Sequence, residues 1–384
     1  MNATDRRAIV IGGSLAGLFT GTLLRSIGWQ VDIYERSPHL LDSRGGGIVL
    51  QLDVIEAFQR AGILQDKLGV VAQERYYLKQ NGSIQRMPMR QTLTSWNLLY
   101  ASMRRQFPDE HYHQGKCLSE IEQNGNQVTA IFVDGTRETG DLLVGADGPN
   151  STIRQLLLPN YTPQYAGYVG YRGLVDEWEL DPETAAIFTE RFVFFQFPNS
   201  HILQYVIPGE NESLVPGERR FNWVWYVNYD QTTELPHILT DKHGKRRDFS
   251  IPPGLIAPSV EEEMRSYANR VLVTPFQKLV AATKEPFVQA ILDLGVPQMT
   301  FDRIALVGDA AFIPRPHTAA STSKAAANAI ALVDALMVYQ DVSKALSAWE
   351  GDQLALGMRL WKHGQALGEQ SQFIYGPERW EGEQ

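Results

Sequence analysis

The chain of 384 residues has one cysteine, Cys117. An internal disulfide is therefore excluded, and no thiolate cluster exists for a structural metal. No apolar run approaches the roughly 20 residues that span a membrane, and the opening MNATDRRAIV lacks the apolar centre of a secretory signal. Positive charge is in deficit: 35 Lys and Arg against 44 Asp and Glu leave a net charge of −9. That balance speaks against nucleic acid and anionic membranes as partners. None of the histidine spacings has the tight pairing with carboxylate or cysteine that zinc or iron needs, so no metal site is expected. No repeat or low-complexity tract is visible. The expectation is a soluble, cytoplasmic protein of two or three domains with a real apolar core.

What is present has a clear order. Ala8-Ile9-Val10-Ile11 reads as a buried strand. It runs into Gly12-Gly13-Ser14-Leu15-Ala16-Gly17, then into a helical pattern from Leu18 to Ile27 with Gly28 as its stop. Val31 to Glu35 reads as the next strand, giving a unit of the βαβ size. From about Tyr165 to Val227 the chain is rich in aromatic and β-branched residues, as in Arg191 to Phe197 and Asn222 to Val227, which predicts a largely antiparallel sheet. From Arg303 the α/β signal returns with Ile304-Ala305-Leu306-Val307, and an Ala-rich helix is predicted from Ala319 to Leu336. The fold class expected is α/β: a Rossmann-like domain made of 1–75, 97–163 and 285–384, interrupted by a β-rich domain of 76–96 and 164–284, with a helical C-terminal segment.

Three motifs carry chemistry. In a dinucleotide fold the glycines of the first turn serve the tight bend, the approach of the pyrophosphate and the helix–strand packing. Here Gly12 and Gly17 hold the outer places and Ser14 the middle one. Glu35, about 20 residues on, stands where an acid accepts from ribose hydroxyls. The second motif is an apolar strand ending in Gly145-Ala146-Asp147-Gly148, followed by Ser151 and Arg154. The third is Gly308-Asp309-Ala310-Ala311 with Pro314 and Pro316, ahead of a helix whose N-terminus offers free N–H groups and a positive dipole end.

In this order and at these separations the three motifs resemble the FAD-dependent aromatic hydroxylases of the para-hydroxybenzoate hydroxylase type, over nearly the whole chain. The strings Tyr165-Ala166-Gly167-Tyr168 with Arg172-Gly173, and Pro314-Arg315-Pro316-His317, look closest to the 2,6-dihydroxypyridine 3-hydroxylase branch. The resemblance implies FAD as cofactor, NADH or NADPH and O2 as co-substrates, and a small aromatic substrate. It places Glu35 at the FAD ribose, Asp309 at the ribitol and the backbone after Pro316 at the flavin ring, with Ala320 and Ser321 in the segment over the flavin, and counts Arg36 and Gly47 among the cofactor-binding residues. Asp147-Gly148 falls in the shared FAD and NAD(P)H motif, and Arg44 beside the flavin. Phe312, Ala319-Ala320-Ser321 and Trp96-Asn97 depart from the pattern of many relatives.

In such enzymes the cofactor does the hard chemistry and the protein orients it. The resemblance implies oxygen transfer from a flavin hydroperoxide to a ring activated by loss of a hydroxyl proton, so a base or relay is expected near the substrate. His317 in the Pro-rich turn, His201 and Tyr205 on one predicted strand and Tyr226 on its neighbour are the candidates. The basic run Lys242 to Arg247 reads as a solvated loop or as an attractor of nucleotide phosphates. A dihydroxypyridine-like ring is the leading substrate class. The alternatives are a phenolic or larger aromatic metabolite, an NAD-dependent dehydrogenase and a flavin-binding protein without turnover. The family also suggests a homodimer.

Overall fold

The computed structural model describes residues 6–41, 46–63 and 68–382. Its first sheet has six strands, in the order Thr300–Phe301, Ile304–Leu306, Leu142–Gly145, Arg7–Ile11, Gln30–Glu35 and Tyr112–Gln114. All neighbours pair in parallel except the edge strand Thr300–Phe301. Parallel strands need cover on both faces, which is why they read as unbroken apolar runs. Ala8, Ile9, Val10, Leu143, Val144 and Ala305 are fully buried. Helix Leu15–Ser26 follows the first strand, as the sequence predicts, and packs against helices Trp96–Gln106 and Ser321–Val338.

The aromatic middle of the chain builds a ten-stranded sheet. Its main path runs Ser250–Ile251, Phe287–Gly295, Gln164–Asp176, Arg220–Asn228, Ser200–Ile207, Arg191–Phe197, Val70–Leu78, Ile84–Ser95 and Gly47–Val49. It is antiparallel but for one junction, where Arg191–Phe197 runs parallel to Val70–Leu78. The boundary expected at 75/76 therefore falls inside a strand, and Phe287–Gly295 pairs in this sheet although composition groups it with the α/β part. A strand whose partner lies more than a hundred residues away leaves no local mark at a domain edge.

Alternation along the strands separates two faces. Trp223 and Trp225 point away from the first sheet and are fully buried. Trp225 stacks on Tyr267 of helix Pro258–Val271 at 5.2 Å, and Trp223 Nε1 donates to Thr283 Oγ1 at 2.9 Å. The opposite face, carrying His201, Tyr205 and Tyr226, looks toward the α/β part. The long helix Val342–Gln372 crosses this junction, and residues 373–381 return along the large sheet. Asn199 Nδ2 donates to the carbonyls of Gly376 and Glu378, and Asn228 Nδ2 to that of Gln372.

Candidate active site

The first turn is shaped by backbone contacts within the protein. Gly12 has φ of 108°, where L side chains are rare, and a Cβ there would collide with the carbonyl of Ala146. A Cβ on Gly17 would collide with the carbonyl of Gly12, so this glycine brings helix and strand together. Gly13 makes room for the Tyr112 hydroxyl, and Ser14 forms no cap bond to the helix it precedes. The first-turn N–H groups of Leu15, Ala16 and Gly17 thus have no side-chain cap, which is the arrangement that receives an anion. Glu35 ends the second strand, buried, and accepts from Gly13 N at 2.8 Å and Ser37 N at 2.8 Å. Each carboxylate oxygen keeps a second lone pair for a ribose hydroxyl. Arg36 beside it is exposed.

The second and third motifs meet through one side chain that sequence reasoning left without a role. Arg154 is fully buried and donates to the carbonyls of Pro149, Tyr161 and Ala310, at 2.5, 3.1 and 2.9 Å. It ties the turn after Asp147-Gly148 to the turn holding Gly308 and Asp309. Asp147 Oδ2 accepts from Ile153 N at 3.2 Å, while its Oδ1 is buried without a partner. Burial pushes this carboxyl up from its usual range. This orphaned acceptor lies against the uncapped helix N-terminus of the first turn, where the backbone of Gly12 meets that of Asp147. Asp309 accepts from the Nζ of fully buried Lys324 at 2.9 Å. Asn328 Oδ1 accepts from Gly308 N at 3.0 Å and steadies the same turn.

Between the α/β part and the exposed face of the large sheet lies a cavity of about 1320 Å³. That exceeds the roughly 300–1,000 Å³ of a pocket for one small ligand, and it suits two ring systems side by side. One wall is the segment Pro316 to Thr322, including the N-terminus of the helix Ser321–Val338, together with Gly47 to Leu52. Gly47 N donates to Asn222 Oδ1 at 2.9 Å, and a Cβ on Gly47 would strike the Tyr205 ring. The close approach there serves Tyr205 packing.

The other wall is set by strand register. His201 lies opposite Tyr226, Tyr205 opposite Phe192 and Asn222, and Arg172 opposite Val224. Period-two alternation brings Phe192, Phe194, Gln196, His201, Leu203, Tyr205, Tyr226 and Arg172 to one surface. All four base candidates from the sequence thus border one cavity. The rings of His201 and His317 are 5.1 Å apart, and those of Tyr226 and His317 4.5 Å.

The electrostatics are one-sided. The described residues lining the cavity include Arg75, Arg90 and Arg172 and no aspartate or glutamate. Arg172 is half-buried with no ion-pair partner among the described residues, and its Nε is buried without any partner. Burial pushes His201 down to about 4 and holds His317, which also faces His201 and Arg315, well below its usual range. Burial pushes Tyr226 up to about 12 and raises Tyr205 and Tyr168 as well. At neutral pH the histidines and tyrosines are therefore neutral and the arginines carry the charge.

The His201 shift has a signed consequence for stability. The native ring stays neutral while the unfolded chain gains a proton below about pH 6.5. The contribution is fully present above that pH and is lost as pH falls toward 4, amounting to about 3 kcal/mol. Denaturation of wild type and His201→Phe between pH 7 and 4.5 is expected to show a shallower loss in the variant; parallel curves would refute the assignment.

Arg44 lies outside the described residues. Phe312 and Trp96, two departures from the family pattern, do not line the cavity: Phe312 is buried in the core, and Trp96 stacks on Tyr100 at 4.6 Å. Arg247 of the basic run pairs with buried Asp241 at 2.7 Å and braces its own loop. Sequence reasoning missed Arg172, Phe192 and Phe194 as cavity residues, and gave no role to Tyr168, which is buried behind the lining. Their signal was alternation, legible only once strand register is known. Among the described residues there is no metal-binding cluster and no helix long and apolar enough to cross a membrane.

Comparison with known proteins matches this geometry. The family described as FAD binding domain-like matches residues 165–293, the bulk of the large sheet. The chain is 33% identical to 2,6-dihydroxypyridine 3-monooxygenase of Paenarthrobacter nicotinovorans, over 93% of this chain and 89% of that one. It belongs to the FAD-dependent monooxygenases. A solved structure of 2,6-dihydroxypyridine-3-hydroxylase from Arthrobacter nicotinovorans superposes on this family member with a TM-score of 0.91 at 32% identity, covering 96% of this chain and 93% of the other. A 6-hydroxynicotinate 3-monooxygenase of Pseudomonas fluorescens is 27% identical over 83% of this monooxygenase and 79% of its own length. The Rossmann-like fold with a β-rich insertion and C-terminal helices is thereby shared, and FAD is the cofactor of the family.

Proposed function

We propose that this monooxygenase is a single-component enzyme that uses NADH or NADPH and O2 to hydroxylate a small hydroxylated N-heteroaromatic ring of the dihydroxypyridine kind. The observation that carries the substrate class is the unpaired Arg172 guanidinium in a cavity whose described lining holds no carboxylate. Relatives at 33% and 27% identity act on hydroxylated pyridine-type rings.

The residues present fit FAD. The turn Gly12-Gly13-Ser14-Leu15-Ala16-Gly17 receives the pyrophosphate at the helix N-terminus, with Glu35 at the ribose and Arg36 on its exposed side. Asp147 and Gly148 border the same nucleotide. Gly308 and Asp309 would hold the ribitol, and Gly47, Pro316, Ala320 and Ser321 would border the ring. When bound and reduced, FAD would supply the electrons that activate O2, of which one atom goes to the ring and the other leaves as water.

The chain's own residues prepare the substrate. Arg172 favours the ionised form of a ring hydroxyl, because a nearby cation stabilises an oxyanion. Phe192, Phe194 and Leu203 give the ring an apolar seat and exclude water. Of the four neutral candidates, the imidazoles of His201 and His317 can accept a proton, and the hydroxyls of Tyr205 and Tyr226 can relay one. The assembly proposed is a homodimer.

The test is aerobic oxidation of NADH and NADPH by the FAD-loaded protein with a panel of hydroxypyridines and phenols, and mass analysis of the products. One hydroxypyridine that stimulates oxidation and gains one oxygen atom is the expected result. Stimulation by phenols alone would replace the substrate class. No stimulation by any ring would overturn the hydroxylase reading.

A further inference from the structure

Tyr168 is fully buried beside the cavity, and the imidazole of His317 meets its phenol oxygen. His317 Nε2 lies 2.8 Å away, and the Arg315 guanidinium stands over the Tyr168 ring, 5.6 Å from its centre. Arg315 is pinned in place. Its Nε and Nη2 donate to Asp293 at 3.0 and 2.7 Å, and its Nη1 reaches Glu369 at 3.3 Å. Beneath it, Gly368 of the helix Val342–Gln372 lets the guanidinium and the phenol come together: a Cβ there would stand 2.7 Å from the Tyr168 oxygen.

A guanidinium donates and never accepts, so the Arg315 beside the ring offers the Tyr168 proton no acceptor. A phenol has one proton, and leaving it buried without an acceptor costs about 1–3 kcal/mol. The other neighbours of the ring, Phe373 and Tyr226, meet it edge-on with their own rings. The proton therefore goes to His317 Nε2, which must be bare to receive it. Around His317 stand His201, Tyr226, Tyr168 and the Arg315 cation, with no carboxylate touching the ring. The ring is neutral, and its one proton sits on Nδ1. That nitrogen makes no hydrogen bond among the described residues, and His317 lines the cavity.

We propose that His317 is a neutral Nδ1–H donor open to the cavity, set in that tautomer by Arg315 and Tyr168, and that it hydrogen-bonds the ionised ring oxygen of the substrate instead of removing a proton from it. The identity of the acceptor rests on the hydroxypyridine reading; the tautomer does not. Tyr168 is then a positioning residue, and the base is left to the other cavity groups.

The first test is nitrogen NMR of the oxidised FAD holoenzyme carrying isotope-labelled histidine, with His317→Asn to assign the signal. The expected spectrum has a pyrrole-like Nδ1 and a pyridine-like Nε2 for His317, and Tyr168→Phe moves population to the other tautomer. A wild-type ring protonated on Nε2, or an imidazolium at neutral pH, would overturn the proposal. The second test is binding of 2,6-dihydroxypyridine, followed by the flavin absorbance. His317→Ala is expected to weaken it roughly 10- to 100-fold, the worth of a hydrogen bond to a charged group. His317→Asn places an amide N–H where Nδ1–H stood and is expected to recover most of the loss. Equal losses in both variants would remove the donor role. A wild-type holoenzyme that binds no hydroxypyridine would overturn the substrate class, while the spectrum alone decides the tautomer.

Discussion

Arg154→Leu is expected to give a protein that loses FAD on purification and unfolds with roughly 3 kcal/mol less stability. The guanidinium is the shared donor to the carbonyls of Pro149, Tyr161 and Ala310. Removing it leaves the buried carbonyl of Ala310 unpaired, at about 1–3 kcal/mol, and takes a charged donor from the carbonyls of Pro149 and Tyr161, whose residues are exposed to water. Part of that is offset, because a buried charge is itself expensive; burial already pulls the Arg154 pKa down. The larger effect is on geometry, since the turns of Asp147 and Asp309 lose their common tie. Arg154→Lys cannot span three acceptors with a single ammonium and is expected to fail similarly. Thermal denaturation and FAD dissociation measured by flavin fluorescence check this. Unchanged values in both would show that the two turns hold themselves.

Arg172→Met is expected to raise KM for the hydroxypyridine roughly 10- to 100-fold, with FAD affinity unchanged. The side chain faces the cavity and touches none of the three nucleotide turns. Arg172→Lys keeps the charge but not the planar fork, so it is expected to recover only part of the loss. The pH dependence of binding adds a second readout. With the cation gone, the bound hydroxyl no longer ionises more readily than in water, so binding of the anion shifts to higher pH. A variant that binds 2,6-dihydroxypyridine like the wild type would release Arg172 from this role.

Much of the proposed nucleotide site could be read ahead of the fold because it is local. The turn from Gly12 to Gly17, the acid at Glu35 and the Gly308-Asp309 turn each sit within a few residues of the strand that positions them. The cavity was half legible. Alternation alone put His201 and Tyr205 on one face of their strand, but only the register shows Tyr226 opposite His201 and Arg172 opposite Val224. Arg172 stood in a quoted string as part of a likeness, without its chemistry being seen. The parallel junction of Val70–Leu78 with Arg191–Phe197 left no trace, because nothing in either segment encodes a partner so remote. Tyr168 and Arg154 escaped for a related reason: their importance lies in which carbonyl or imidazole they meet, and that is decided by the fold.

The strand order of the first sheet also bears on how the enzyme is made. Ile9 pairs with Leu143, and Leu143 with Ile304. During synthesis the strand holding the first glycine turn waits for its inner neighbour until more than a third of the chain has emerged. The strand that leads to Asp309 is the last of its sheet to emerge, after every strand on the main path of the large sheet. Pairings so distant in sequence are slow to form and leave apolar edges open meanwhile. The nested sheet from Gln164 to Gly295 is thus poised to fold as an inner unit before the nucleotide site closes around it. A ribosome-bound chain halted short of residue 304 is a poor receptor for flavin, and cofactor capture becomes one of the final events in the birth of the molecule.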